Sequence, residues 1–279
     1  MLSRSGRGAV RVLVAGALSA SVVLVASQAG AQITDDEADC RSSIVRAMSK
    51  YIDATETVIN GCHQLRDAGE LGPEIDCNDA DVADTNTEDK WVLAQAAASA
   101  QINAACQDVP SVLSQYVSCP APWEATDDGG ADGIDTLQEL TSCLILQGKT
   151  AIESALQGAM GLPEGLSTSQ AKCHAAVGKA VARVVDTTIK ERGKCQKELD
   201  KDGGPLSFQC ADADPKLKIA STLTKAEHFI EVTCSDAGEA AAIDSCATDV
   251  SGIQNCAIAT SAKDTGAILA TMIWEIPGA

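Results

Sequence analysis

The chain has 279 residues, 45% of them hydrophobic and 22% charged, with a formal net charge of −18. A surface this acidic repels nucleic acid and anionic lipid, so neither is an expected partner; cations and basic surfaces are favoured instead. Twelve cysteines against 3% aromatics and three histidines describe a chain stiffened by sulfur rather than by large side chains.

Residues 1–31 read as a signal peptide. Arg4, Arg7 and Arg11 form a basic start, and the apolar run Val12 to Ser27 has signal-peptide length but is short for a membrane span. Ala29-Gly30-Ala31 fits the small-x-small cleavage pattern, which starts the mature chain at Gln32. A retained signal anchor is the alternative. Cleavage removes three arginines and no acid, leaving 18 basic against 39 acidic side chains, or −21. No later run is long and apolar enough to cross a bilayer. The expected location is therefore exported, periplasmic or extracellular, with no membrane span in the mature chain.

The cysteines stand at 40, 62, 77, 106, 119 and 143, then at 173, 195, 210, 234, 246 and 256. An even count in an exported chain predicts six disulfides. No C-x-x-C occurs, which removes zinc-ribbon, iron–sulfur and haem-attachment spacings. The gaps are 22, 15, 29, 13, 24 and then 22, 15, 24, 12, 10. Shifting the chain by 133 residues aligns 40–81 with 173–214 without a gap, and ten of 42 positions match. Among the matches are three cysteines and a shared C-x-D-A-D, CNDAD at Cys77 and CADAD at Cys210. This predicts an internal duplication, with one copy in 32–165 and the other in 166–279.

In the first copy Ile44, Met48, Tyr51, Ile52 and Ile59 fall on one helix face. About 22 residues of helix span roughly 33 Å, so Cys40 and Cys62 cannot pair with each other. A second helix of similar length ends at Cys106; Thr85-Asn86-Thr87-Glu88 resembles a capping box at its start and Trp91 opens its buried run. Two such helices form an antiparallel hairpin, which brings Cys40 to Cys106 and Cys62 to Cys77. The remaining pair is Cys119 with Cys143. A short helix follows Pro110. A third long helix carries Leu137, Leu140, Leu144, Ile152, Leu156 and Met160 on one stripe.

Before that helix, DGGADGIDTLQE (Asp128 to Glu139) resembles an EF-hand calcium loop, with Asp128, Asp132, Gly133 and Glu139 at template positions. Gly130 and Asp135 depart from the template. The competing reading is a Gly/Asp linker ending in an N-cap at Asp135, with Gln138 completing a capping box. Calcium is the one candidate cofactor.

The second copy repeats the plan. Val177, Val181, Val184, Val185 and Thr188/Ile189 form the inward face of its first helix. Asp214-Pro215 reads as N-cap and first helical residue of the second, whose stripe is Ile219, Leu223, Ala226, Phe229 and Ile230. Cys173 should then join Cys234, Cys195 join Cys210, and Cys246 join Cys256. A short helix follows Ala237. The third helix carries Val250, Ile253, Ala257, Ile268 and Met272. The predicted fold is all-α: two tandem disulfide-stapled bundles, each a hairpin plus a third helix.

Catalytic patterns are absent. There is no G-x-S-x-G, H-E-x-x-H or phosphate-binding glycine loop. His63, His174 and His228 read as surface or hydrogen-bonded residues, and disulfide-bonded cysteines are not nucleophiles. Lys179, Arg183, Lys190, Lys194 and Lys197 form a basic row, read first as a solvated helix face. KCHAAVGKAVARVVDTTIKERGKC (Lys172 to Cys195) resembles exported bacterial proteins with cysteine- and lysine-punctuated helical repeats. That resemblance implies a fold and a location and no active residues. The expected function is a non-enzymatic exported binding or cell-envelope structural protein, presenting helical faces to a protein or envelope component. The alternative is a carrier of a small apolar ligand held between the bundles.

Overall fold

The computed structural model describes residues 33–279 except 86–88, 117–118, 121–132, 205–206, 236, 244 and 275–279, so the expected signal segment lies outside it. The described chain is all-α, with no β-sheet. Its helices are α1 (Asp35–Asp67), α2 (Ala80–Asp84), α3 (Lys90–Cys106), α4 (Leu137–Ala159), α5 (Thr168–Lys201), α6 (Lys218–Thr233), α7 (Ala237–Ala242), α8 (Val250–Ile253) and α9 (Lys263–Trp274). A 3-10 turn covers Pro110–Gln115, and a π-helical stretch, Gln254–Ala262, links α8 to α9.

The two long helices, α1 and α5, form because their apolar positions recur at helical spacing and their starts are capped. Thr34 and Glu37 make a reciprocal capping box for α1, as Ser167 and Gln170 do for α5. Each inward face is sealed: Ile44, Tyr51, Ile59, Val177, Val184 and Val185 have no exposed surface. A fully buried aliphatic side chain of this kind contributes ~1.5–3 kcal/mol.

Each long helix makes a hairpin with a shorter partner. Cys40–Cys106 closes the open end of α1/α3 and Cys62–Cys77 its turn end. Cys173–Cys234 and Cys195–Cys210 do the same for α5/α6. Cys119–Cys143 and Cys246–Cys256 complete the set. These are the pairings that the hairpin geometry predicts. Six disulfides mark a chain matured in an oxidising, non-cytoplasmic compartment. Among the described residues no helix is long and apolar enough to cross a membrane.

The described residues pack as one compact unit. Across the sequence boundary near 165, the Tyr116 hydroxyl donates to the Ile273 carbonyl at 2.8 Å. Ser245 and Ser261 donate to the carbonyls of Ala159 and Ala155.

Local details depart from the sequence expectation in four places. First, α4 is capped by Thr136 with Glu139, not by Asp135 with Gln138, because Thr136 is the last extended residue and its hydroxyl accepts from the Glu139 amide. Second, the N-cap positions of α3 and α6 are Asp89 and Leu217, both left-handed and without a capping side chain. The capping acids sit further back: Asp84 accepts from the amides of Trp91 and Val92, and Asp214 from those of Ile219 and Ala220. Residues 86–88 of the expected first capping box lie outside the described residues. Third, Phe229 is 42% exposed rather than part of the α6 stripe. Fourth, Ile268 is 54% exposed and Met272 half-buried, while Leu269, Ala270, Ile273 and Trp274 are buried. The π-helical stretch explains the last. Its i→i+5 bonds widen the turn, so the inward face after Ala262 falls on different residues from those a straight α-helix would present.

Candidate functional site

The seam between α1 and α5 carries the chemistry. The helices run antiparallel: Arg41 meets Asp200 at one end, and His63 meets His174 at the other. Two α5 glycines permit close approach. A Cβ on Gly178 would collide with Asn60 and Met160, and one on Gly193 would lie 3.2 Å from Val45. In both places a larger α1 side chain enters a hole on α5.

The 133-residue sequence offset also relates the two ends of this seam. Asp67 corresponds to Asp200, His63 to Gln196, and Arg41 to His174. At one end His174 Nδ1 lies 2.8 Å from Asp67, and the His63 ring meets His174 edge-on at 5.0 Å. His63 Nε2 donates to Asn78 Oδ1 at 3.0 Å. Burial and the His174 ring push His63 down to about 4, so it is neutral at physiological pH. At the other end Arg41 lies 3.5 Å from Asp200, and Gln196 donates to the same carboxylate at 2.9 Å. Burial raises Asp200 despite these partners.

A groove opens at each end, and the offset relates these too. The larger, about 600 Å3, is lined by Asp53, Glu56, Thr57, Asn60, Gly61, Gln64, Leu65, Lys90, Lys179 and Ala182. The smaller, about 310 Å3, is lined by Ser42, Val45, Arg46, Ser49, Lys50, Lys190, Gly193, Lys194, Lys197 and Trp274. Thr57, Asn60, Gly61 and Gln64 of the first correspond to Lys190, Gly193, Lys194 and Lys197 of the second. Lys179 and Ala182 likewise correspond to Arg46 and Ser49. Corresponding sequence positions thus line both grooves, but the first holds two acids and two lysines and the second five cations and no acid.

The larger groove is the more polar of the two and contains Asp53 and Glu56 beside Lys90 and Lys179. Glu56 is buried where the offset places Ile189. Burial, then the nearby Asp186 and Asp53 carboxylates, hold its carboxyl well above the ordinary range. This single shifted carboxyl could donate a proton, but no histidine or cysteine is among the residues lining the groove with it.

The smaller groove has an apolar floor formed by Val45, Gly193 and the indole edge of Trp274. Trp274 is fixed at the end of α9 by stacking on Phe208 at 6.5 Å and by the Arg41 guanidinium 5.0 Å from its ring. Five cations line the groove and no acid does. Lys190 pairs with Asp186 at 2.7 Å and Lys194 with Glu191 at 2.6 Å. Arg46 bonds only the Ser42 carbonyl and the Ser43 hydroxyl. Neither Arg46, Lys50 nor Lys197 has a carboxylate partner among the described residues.

The basic row read from the sequence is thus divided. Lys190, Lys194 and Lys197 line the Trp274 groove, Lys179 lines the other, and Arg183 is exposed. Of the calcium candidates, Asp128 and Asp132 lie outside the described residues. Glu139 is engaged elsewhere: its carboxylate accepts from the Asp135 and Thr136 amides and from the Thr136 hydroxyl. These bonds, although burial opposes them, hold it below the ordinary carboxylate range. Among the described residues no group of three or more His, Cys, Asp or Glu is gathered for a metal ion. Trp274, Arg46, Lys50 and Glu56 escaped the sequence reading. The offset was the available signal for Glu56, since it sets an acid opposite Ile189.

Comparison of the chain with known protein families, with curated proteins and with solved structures finds no match.

Proposed function

We propose that this chain is a non-enzymatic binding protein, exported by residues 1–31 to the periplasm or beyond, that holds a small ligand with an apolar body in the groove between α1, α5 and Trp274. The observation that carries the reading is the groove itself. An apolar floor with an aromatic edge, sited between packed helices and rimmed by a few polar groups, is the usual form of a small-molecule site. Its volume of about 310 Å3 lies at the small end of such sites. The disulfide clamps fix the helices that form its walls, which limits the ordering required on binding. The halves are read as copies of one ancestral unit; the corresponding residue pairs along the α1–α5 seam support this.

Intrinsic fluorescence of Trp274 is the direct test. A small amphiphile titrated into the oxidised protein should change the emission, and Trp274→Phe should abolish the change. Filling the floor by Gly193→Leu should abolish binding in calorimetry. Unchanged binding in Gly193→Leu would place the ligand elsewhere.

A second reading, partner docking, is favoured by one observation. Val92 and Leu93 on α3 and Phe229 and Val232 on α6 are exposed apolar side chains, from 42% to 66%. A protein or envelope component bound by helical faces would cover such residues.

A further inference from the structure

We propose, resting on that binding reading, that the Trp274 groove selects a free, single-chain amphiphile with an oxyanion head, and that its twin at the other end of the seam does not. Three observations lead to this. The chain carries a net charge of −18, yet the lining of this one groove is five cations and no acid. Among the described residues Arg46, Lys50 and Lys197 have no carboxylate partner, so an incoming anion meets donors that need not first leave a salt bridge there.

The floor supplies the second half of the ligand. Val45 and the lysine stems offer an apolar surface, with buried Gly193 and Trp274 directly beneath it; such stems pack along apolar groups while their ammoniums reach outward. Gly193 is needed for this shape. A Cβ there would lie 3.2 Å from Val45 Cγ1 and 3.7 Å from Trp274 Nε1, and so would occupy the floor. An apolar tail on the floor and an oxyanion at the rim satisfy both sets of groups at once.

The twin groove acts as an internal control. At the positions corresponding to Lys190, Lys194 and Lys197 it has Thr57, Gly61 and Gln64, and it contains Asp53 and Glu56. An anion meets two cations there, Lys90 and Lys179, beside the Asp53 carboxylate, against five cations and no acid in the Trp274 groove. The global charge also selects a free molecule over a bilayer surface, because the body as a whole is repelled by anionic lipid.

The test uses the full oxidised mature chain and two probes with the same ten-carbon tail, decanoate and 1-decanol, at low ionic strength. Calorimetry and Trp274 emission should show decanoate binding at least about tenfold more tightly. Salt should weaken decanoate alone. Lys50→Gln with Lys197→Gln, a change at an exposed and a half-buried position, should bring the ratio of decanoate to decanol affinity close to one. Equal affinity for the two probes overturns the oxyanion selectivity while the binding reading survives. Loss of both overturns the binding reading as well. Decanoate binding that persists in Gly193→Leu overturns the location. Co-sedimentation with phosphatidylglycerol vesicles, lost in the double lysine variant, overturns the free molecule in favour of a membrane surface.

Discussion

Replacing Cys173 and Cys234 together by alanine opens the clamp where α5 begins and α6 ends. Replacing Cys195 and Cys210 opens the clamp at the turn of the same hairpin. The sequence separations are 61 and 15 residues. In the chain-entropy description a closed loop of each size destabilises the unfolded state by about 4.3 and about 3.0 kcal/mol respectively. The wide clamp should therefore stabilise more, by about 1.2 kcal/mol. Burial acts in the same direction: Cys173 and Cys234 are both fully buried, whereas Cys195 is half-buried, so the first pair leaves the larger void. Urea unfolding followed by far-UV circular dichroism measures both double variants against the parent. Removing either crosslink enlarges the unfolded chain and steepens the denaturant dependence, so stabilities should be compared as extrapolated free energies rather than midpoints. A loss for Cys195/Cys210 equal to or greater than that for Cys173/Cys234 would refute the reasoning. It would mean that native packing, and not unfolded-chain entropy, sets the worth of these crosslinks. Cys40/Cys106 against Cys62/Cys77, with separations of 66 and 15 residues, should show the same order.

Glu56 predicts a pH effect. Its folded-state pKa is raised above the ordinary 4.5 by burial and by Asp186 and Asp53. The unfolded chain therefore binds fewer protons than the folded one above pH 4.5, and this residue's contribution to stability falls as pH rises toward its folded pKa. Glu56→Gln should be nearly neutral at pH 4 and increasingly stabilising by pH 7.5 in urea titrations; an equal effect at both values would count against a buried, protonated carboxyl. Gly178→Ala should destabilise by ~1–3 kcal/mol, because the added Cβ meets Asn60 and Met160 in the closed seam. Thermal unfolding checks it, and a neutral result would show that α1 and α5 can separate there at little cost.

The sequence determined what local geometry alone can fix. Cys40 and Cys62, like Cys173 and Cys195, sit at opposite ends of a helix whose rise per residue keeps them apart. Only a hairpin partner can reach each, and the observed pairs follow. Ile44, Met48, Tyr51 and Ile52, and their counterparts on α5, are buried as their spacing dictates, because helical periodicity assigns a face without reference to the rest of the chain. Tertiary structure decided the contacts that no local pattern or cysteine spacing encodes. Asp84 and Asp214 cap helices from five to eight residues away across a turn whose path no capping motif encodes. The π-helical stretch turned Ile268 outward and carried Trp274 inward. The basic row became a groove only when α5 packed against α1 and the end of α9 closed over Gly193. Residues 42–50, 190–197 and 274 share no local pattern. A binding surface made from three helix faces is specified by how those helices pack, and packing depends on side-chain shape summed over the whole core.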